Sequence, residues 1–142
     1  MLQRDIAIEE LKERIRAAKT DLGIKALKHN PDSPATESQI PGIFIHEGED
    51  SIVKPGTQTW SGYPVIRKVE IYFEILTTGG RSQVKEMHRK LRDVLFQAPL
   101  TCGVVIREVK AFGPAGNGVP GVLFMQLIIS LTYTDQGPTN QV

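Results

Sequence analysis

The residue pattern predicts an α+β fold, a mainly antiparallel sheet with two helices packed on one face. Three observations lead there. Ile8, Leu11, Ile15, Ala18 and Leu22 recur at steps of three and four, which places them on one side of a helix. Arg67, Val69, Ile71, Phe73 and Ile75 alternate with Lys68, Glu70, Tyr72 and Glu74, the signature of a half-buried strand. Two more strand-like runs, 104–112 and 122–134, follow each other with only a Gly/Pro-rich turn between them. Strands joined by a turn pair antiparallel, because a parallel pair needs a long crossover.

The first helix carries Asp5, Glu9 and Glu10 early and Arg14, Arg16 and Lys19 late, an order that complements its dipole. Asp5 is the expected N-cap and Gly23 the expected stop. Residues 24–28 read as a short strand. A polar, proline-punctuated loop follows over 30–41, then a short buried strand, Ile43-Phe44-Ile45. A second irregular stretch is expected over 48–64, carrying Trp60 and Tyr63; loops this long are functional or disordered. After the strand 65–76, Thr77-Thr78-Gly79-Gly80 turns the chain into a second helix. Ser82 is its expected N-cap, Val84, Met87, Leu91, Val94, Leu95 and Ala98 form its apolar stripe, and Pro99 closes it. In the last strand Leu123, Met125, Leu127, Ile129, Leu131 and Tyr133 share a face. The polar tail 135–142 is expected to be mobile.

Composition narrows the function classes. The 142 residues include 17 Lys and Arg against 16 Asp and Glu, a formal net charge of +1 that gives no global attraction for nucleic acid or anionic lipid. Area scaling lets a chain of 15.7 kDa bury about 68% of its surface, enough for one core, so a single domain over 1–142 is expected. No apolar run approaches the ~20 residues of a membrane span, and Arg4, Asp5, Glu9 and Glu10 interrupt any signal-peptide pattern. The single cysteine, Cys102, can form neither an internal disulfide nor a multi-thiolate zinc site, which suits a reducing, cytoplasmic setting. The strands 65–76 and 122–134 would run about 40 Å or more, whereas a compact domain of this size is only about 37 Å wide. Such strands either project and expose edges for a partner subunit, or are shortened by bulges.

The constellations that carry chemistry are weak. His46-Glu47-Gly48-Glu49-Asp50 is the only compact set of potential metal ligands, and strand alternation would turn His46 and Glu47 apart. A solvated acidic loop is the plainer reading. Cys102 has no His nearby in sequence, since His29, His46 and His88 are scattered. Gly79-Gly80-Arg81-Ser82 precedes a helix but lacks the spacing of a nucleotide-binding loop, so a tight turn explains it. Arg81, Lys85, Arg89, Lys90 and Arg92 gather on the second helix, with Lys85, Arg89 and Arg92 on one face and Glu86 and Asp93 interleaved. Residues 113–121 are small and Gly/Pro-rich, longer than a tight hairpin needs, and suit either a tip ordered by a partner or an idle connector. No catalytic, cofactor-binding or metal-ligating residue is assigned.

Taken together, the N-terminal amphipathic helix, the Pro-led strand Ile40-Pro41-Gly42-Ile43-Phe44-Ile45, the strand 67–75, the helix around Val84–Leu91 and the final Ile128-Ile129-Ser130-Leu131-Thr132-Tyr133-Thr134 form an order and spacing over 4–134. This resembles the tail terminator (tail completion) proteins of long-tailed bacteriophages. The resemblance implies a structural protein of the virion, assembled in the host cytoplasm at the head-proximal end of the tail. It implies a hexameric ring that docks on the tail tube protein, stops tube growth and presents a surface to a head-tail connector or stopper protein, and to a sheath protein where the tail is contractile. It carries no catalytic residues, no cofactor, no membrane and no sequence-specific nucleic acid. By that analogy Trp60, Tyr63, Lys85, Arg89, Arg92 and Asn117 are the candidate partner contacts, with Trp60 as an interface anchor or a core filler. Two other readings stand beside it: a different head-tail joining protein of the neck, and a small metal-dependent enzyme using the 46–50 cluster.

Overall fold

The computed structural model describes residues 2–54 and 62–137. Helix α1 (Gln3–Ala17) buries Ile8, Leu11 and Ile15 of the expected stripe together with Ala7, while Ala18 lies past its end and is only partly buried. It starts two residues before Asp5, which sits in the first turn rather than at the cap. Leu2 takes the cap position, with its carbonyl accepting from the Asp5 and Ile6 N–H groups. At Ala18 the helix tightens, a single further turn α2 (Lys19–Leu22) follows, and Gly23 ends it at φ 71°, a left-handed conformation that favours glycine.

Strand β1 (Ala26–His29) pairs in parallel with the start of β2 (Gly42–Lys54). Strands β3 (Val65–Thr77) and β5 (Leu123–Asp135) pair antiparallel along their whole length, and β4 (Val105–Gly116) closes the far side. Helix α3 (Arg81–Leu95) joins β3 to β4. The sheet order is β1-β2-β3-β5-β4, and every pair except β1–β2 is antiparallel. The fold is therefore α+β, as the alternation predicts.

Several boundaries differ from expectation. The 48–64 loop begins later, because β2 continues through the acidic cluster to Lys54. Gly48-Glu49-Asp50-Ser51 is poor strand sequence, but the 13-residue β3 beside it supplies pairing partners to the end, and context overrides propensity. Register shifts between Glu47 and Asp50 and between Ile52 and Lys54 absorb the mismatch. Gly48 is required at the first of these, since a Cβ there would lie 2.8 Å from the Tyr72 ring. The 113–121 turn is shorter than expected, because β4 runs on through Gly113 to Gly116 past a second irregularity. Gly80, not Ser82, takes the cap position of α3. Asp135 belongs to β5 and is buried, so it is no part of a mobile tail; residues 138–142 lie outside the described residues.

Helices α1 and α3 cover one face of the sheet. Their buried residues meet Ile43, Ile45, Val69, Ile71, Phe73, Ile75, Leu127, Ile129 and Leu131 in one cluster. Arg14 of α1 ties the helices together by donating to the carbonyls of Leu95 and Ala98 at 2.8 Å and of Pro99 at 3.0 Å, so the open end of α3 is satisfied from its neighbour. On the opposite face the 30–41 loop covers only one end, over Phe44, Leu76 and Val122. The 13-residue strands place the two long connections at opposite ends of the sheet. Lys54 and Val65 lie at the end where β5 finishes, while the turn after Gly116 lies where β5 begins.

Candidate assembly surface

The acidic cluster on β2 is divided by the strand that carries it. The register shift at Gly48 and Glu49 brings Glu47 and Asp50 to the same guanidinium. Arg4, at the start of α1, lies 2.7 Å from Asp50 and 3.6 Å from Glu47. Asp50 also accepts from the Tyr133 hydroxyl at 2.6 Å and lies 3.7 Å from Arg67. Glu47 accepts from Asn30 and lies 2.8 Å from His29 Nε2. Arg67 in turn holds Asp135 at 2.7 Å. Burial, then the bond to Asp50, pushes the Tyr133 hydroxyl above its usual range. Burial would lower Arg4, but its bond and charge with Asp50 outweigh that and raise it.

This is a clamp between helix and sheet. Its carboxylates face cations, although the buried Asp50 Oδ1 accepts no hydrogen bond and has Arg67 only at 3.7 Å, and His46 instead lines a shallow pocket with Phe44 and Glu74. Among the described residues no three His, Cys, Asp or Glu side chains converge as metal ligands. Glu47 and Asp50, two of the four side chains on which the metal-enzyme reading rested, are engaged in the clamp.

The other chemical candidates are drawn into structure in the same way. Cys102 packs against the core, half-buried. The Gly79 N–H donates to Thr77 Oγ1 at 3.1 Å, and the Gln83 side chain occupies the space beside Gly79, so the turn holds its own donors. His88 is buried beneath α3 with no hydrogen bond at Nε2, and desolvation lowers its pKa.

The predicted contact residues do not form one surface. On α3, Arg89 pairs with Glu86 and Asp93, and Arg92 with Glu108 of β4 at 3.0 Å. Lys85 alone of the three makes no ion pair among the described residues, so the basic face is largely neutralised within the chain. Tyr63 bonds Arg67 and packs against Gly137 at one end of the sheet. Asn117 is exposed at the other end, its side chain accepting from the Val119 N–H at 3.0 Å. Trp60 lies outside the described residues.

The most exposed apolar surface was not among those candidates. Val105, Val109 and Phe112 of β4 are 47%, 41% and 56% exposed, and Ile52 and Val53 at the end of β2 are 50% and 57% exposed. Phe112 stacks on Phe124 with ring centroids 5.9 Å apart, yet stays half open to solvent. One signal was available in the sequence: 104–112 has apolar residues on both faces.

No family model matches the chain, and no curated protein does. Solved structures do. A chain from a structure described as the virion of a native gene transfer agent (GTA) particle aligns with a TM-score of 0.62, over 88% of this chain and 92% of that one, at 14% identity. The two chains share a fold. The match spans almost the whole length of both.

Proposed function

We propose that this chain is a structural protein of a phage-like virion that acts as a tail terminator. Copies close into a ring, six by resemblance, which seats on the last ring of tail tube protein, halts polymerisation and offers its other side to the head. The observation that carries this reading is the fold shared with a virion-particle chain over nearly all of both. Three features support it. A terminator needs two working sides, and the long connections leave the sheet at opposite ends. A ring needs two unlike patches on each copy, and the sheet has two unlike edges. The polar clusters that would do chemistry are committed to holding the fold. The head-side partner would be a connector or stopper protein, with a sheath protein beside it in a contractile tail.

The test combines solution mass with electron microscopy of tail tubes mixed with the purified chain. The reading expects a ring of defined mass, free or on the tube, and extra density confined to one tube end. Density along the tube wall, or no binding to ends at any concentration, would overturn it. Binding to preformed terminator rings but not to bare tubes would assign the chain to a neighbouring neck protein.

A further inference from the structure

Among the described residues, β4 and the 48–54 end of β2 each lack a second strand partner. Strand β4 pairs only with β5. On the other side β1 covers β2 only from Gly42 to Ile45, and the Asn30 side chain accepts from the Glu47 N–H at 3.1 Å. Residues 48–54 of β2 therefore have a strand partner on one side alone. Long apolar edges of this kind template further pairing unless blunted or covered. Pro114 and the irregularity beside it blunt the end of β4, but the stretch Val105 to Phe112 keeps its exposed apolar side chains.

We propose that the 105–112 stretch of β4 in one copy pairs with the 48–54 stretch of β2 in the next. The sheet then continues head to tail from copy to copy. The proposal rests on the ring reading above and names the surface that closes the ring. Direction supports it. Three successive antiparallel pairings leave β2 and β4 running opposite ways within the chain. Rotation about an axis along the strands preserves those directions, so the junction is antiparallel, the commoner pairing.

Charge supports it too. Arg107 and Lys110 make no ion pair among the described residues, while the β2 stretch presents exposed Glu49 near its start, with the exposed cation Lys54 at its far end. Ile52 and Val53 supply apolar partners for Val105, Val109 and Phe112, as cross-strand pairing requires. The lengths match at seven and eight residues. Pairing β4 with β4 instead would set Arg107 and Lys110 against their own copies and close a dimer rather than a ring.

Hydrogen exchange on the assembled form, free or on tube ends, tests the proposal without assuming a register. Relative to diluted monomer, backbone amides in both 48–54 and 105–112 should slow by about tenfold or more. Protection of 105–112 alone would mean β4–β4 pairing, and protection of neither would place the junction elsewhere; both overturn the proposal. Arg107→Glu with Lys110→Glu should weaken association by about tenfold or more, and adding Glu49→Lys should recover part of that loss. These side chains are exposed, so an unchanged melting temperature will show that the variants fold. An oligomer whose two edges exchange as fast as in monomer defeats this interface but leaves the ring reading standing. A chain that neither self-associates nor binds tube ends defeats the ring reading itself.

Discussion

Strands β5 and β4 are hydrogen-bonded neighbours of almost equal length, 13 and 12 residues, and they live in different environments. From Leu127 to Leu131 every residue of β5 is buried, whereas seven of the eight residues from Val105 to Phe112 of β4 are exposed, all but Ile106, since among the described residues that strand has a partner on one side alone. Strand β5 lies between two strands and beneath both helices. The same backbone geometry thus serves two ends. Side-chain burial fixes β5 within the chain, while β4 and the end of β2 hold apolar surface that the described residues do not cover.

The largest effect expected from that contrast is on stability. Leu127→Ala or Ile129→Ala, each at a site with no solvent exposure, should cost about 3–4 kcal/mol in urea unfolding. Val109→Ala on β4 should cost within about 0.5 kcal/mol. A large loss at Val109 would mean that β4 is needed for the monomer and erase the distinction. Next comes Asp50→Ala, which takes the nearest carboxylate from Arg4, leaving Glu47 at 3.6 Å, and removes the acceptor of Tyr133. It should cost about 1–2 kcal/mol in the same measurement, because a charged hydrogen bond and the acceptor of a buried hydroxyl are lost together.

A smaller effect is expected at Glu10, which accepts from the Thr101 N–H and hydroxyl and pairs with Arg14. Burial would raise its pKa, but those bonds lower it on balance. A carboxylate lowered by folding stabilises above its ordinary value near 4.5, and that contribution is lost as pH falls through the folded value. Glu10→Gln should cost about 1 kcal/mol at neutral pH, and the gap to the unaltered chain should narrow in acid melts. The smallest effect is at His88. Burial lowers its pKa against the attraction of Glu108, with Arg92 adding to the lowering. Stability should be complete above its ordinary value of 6.5 and decline as pH falls below it, because the unfolded chain takes up the proton first. His88→Gln should flatten the change in melting temperature between pH 8 and 5.5.

The interior was legible in the sequence because its signals are local and periodic. The stripe from Ile8 to Leu22 and the alternation from Leu127 to Tyr133 state which side faces the core, and both face it as expected. The site was less legible, because its determinants are contacts between distant residues. Nothing near Glu47 or Asp50 in sequence announces Arg4, Arg67 or Tyr133, so a clamp reads as a solvated acidic loop. Likewise Arg89 and Arg92 count as a basic face until Glu86, Asp93 and Glu108 are placed beside them. The edges depend on what is missing from one side of a strand, which only the sheet order reveals.

The central claim is that the chain works by assembling on the end of a tube. The most direct measurement is the length distribution of tail tubes polymerised with increasing amounts of this protein. The account predicts that growth stops and mean length falls as the chain is added, with a ring on one end of each arrested tube. Tubes that keep lengthening as they do without it would contradict the account.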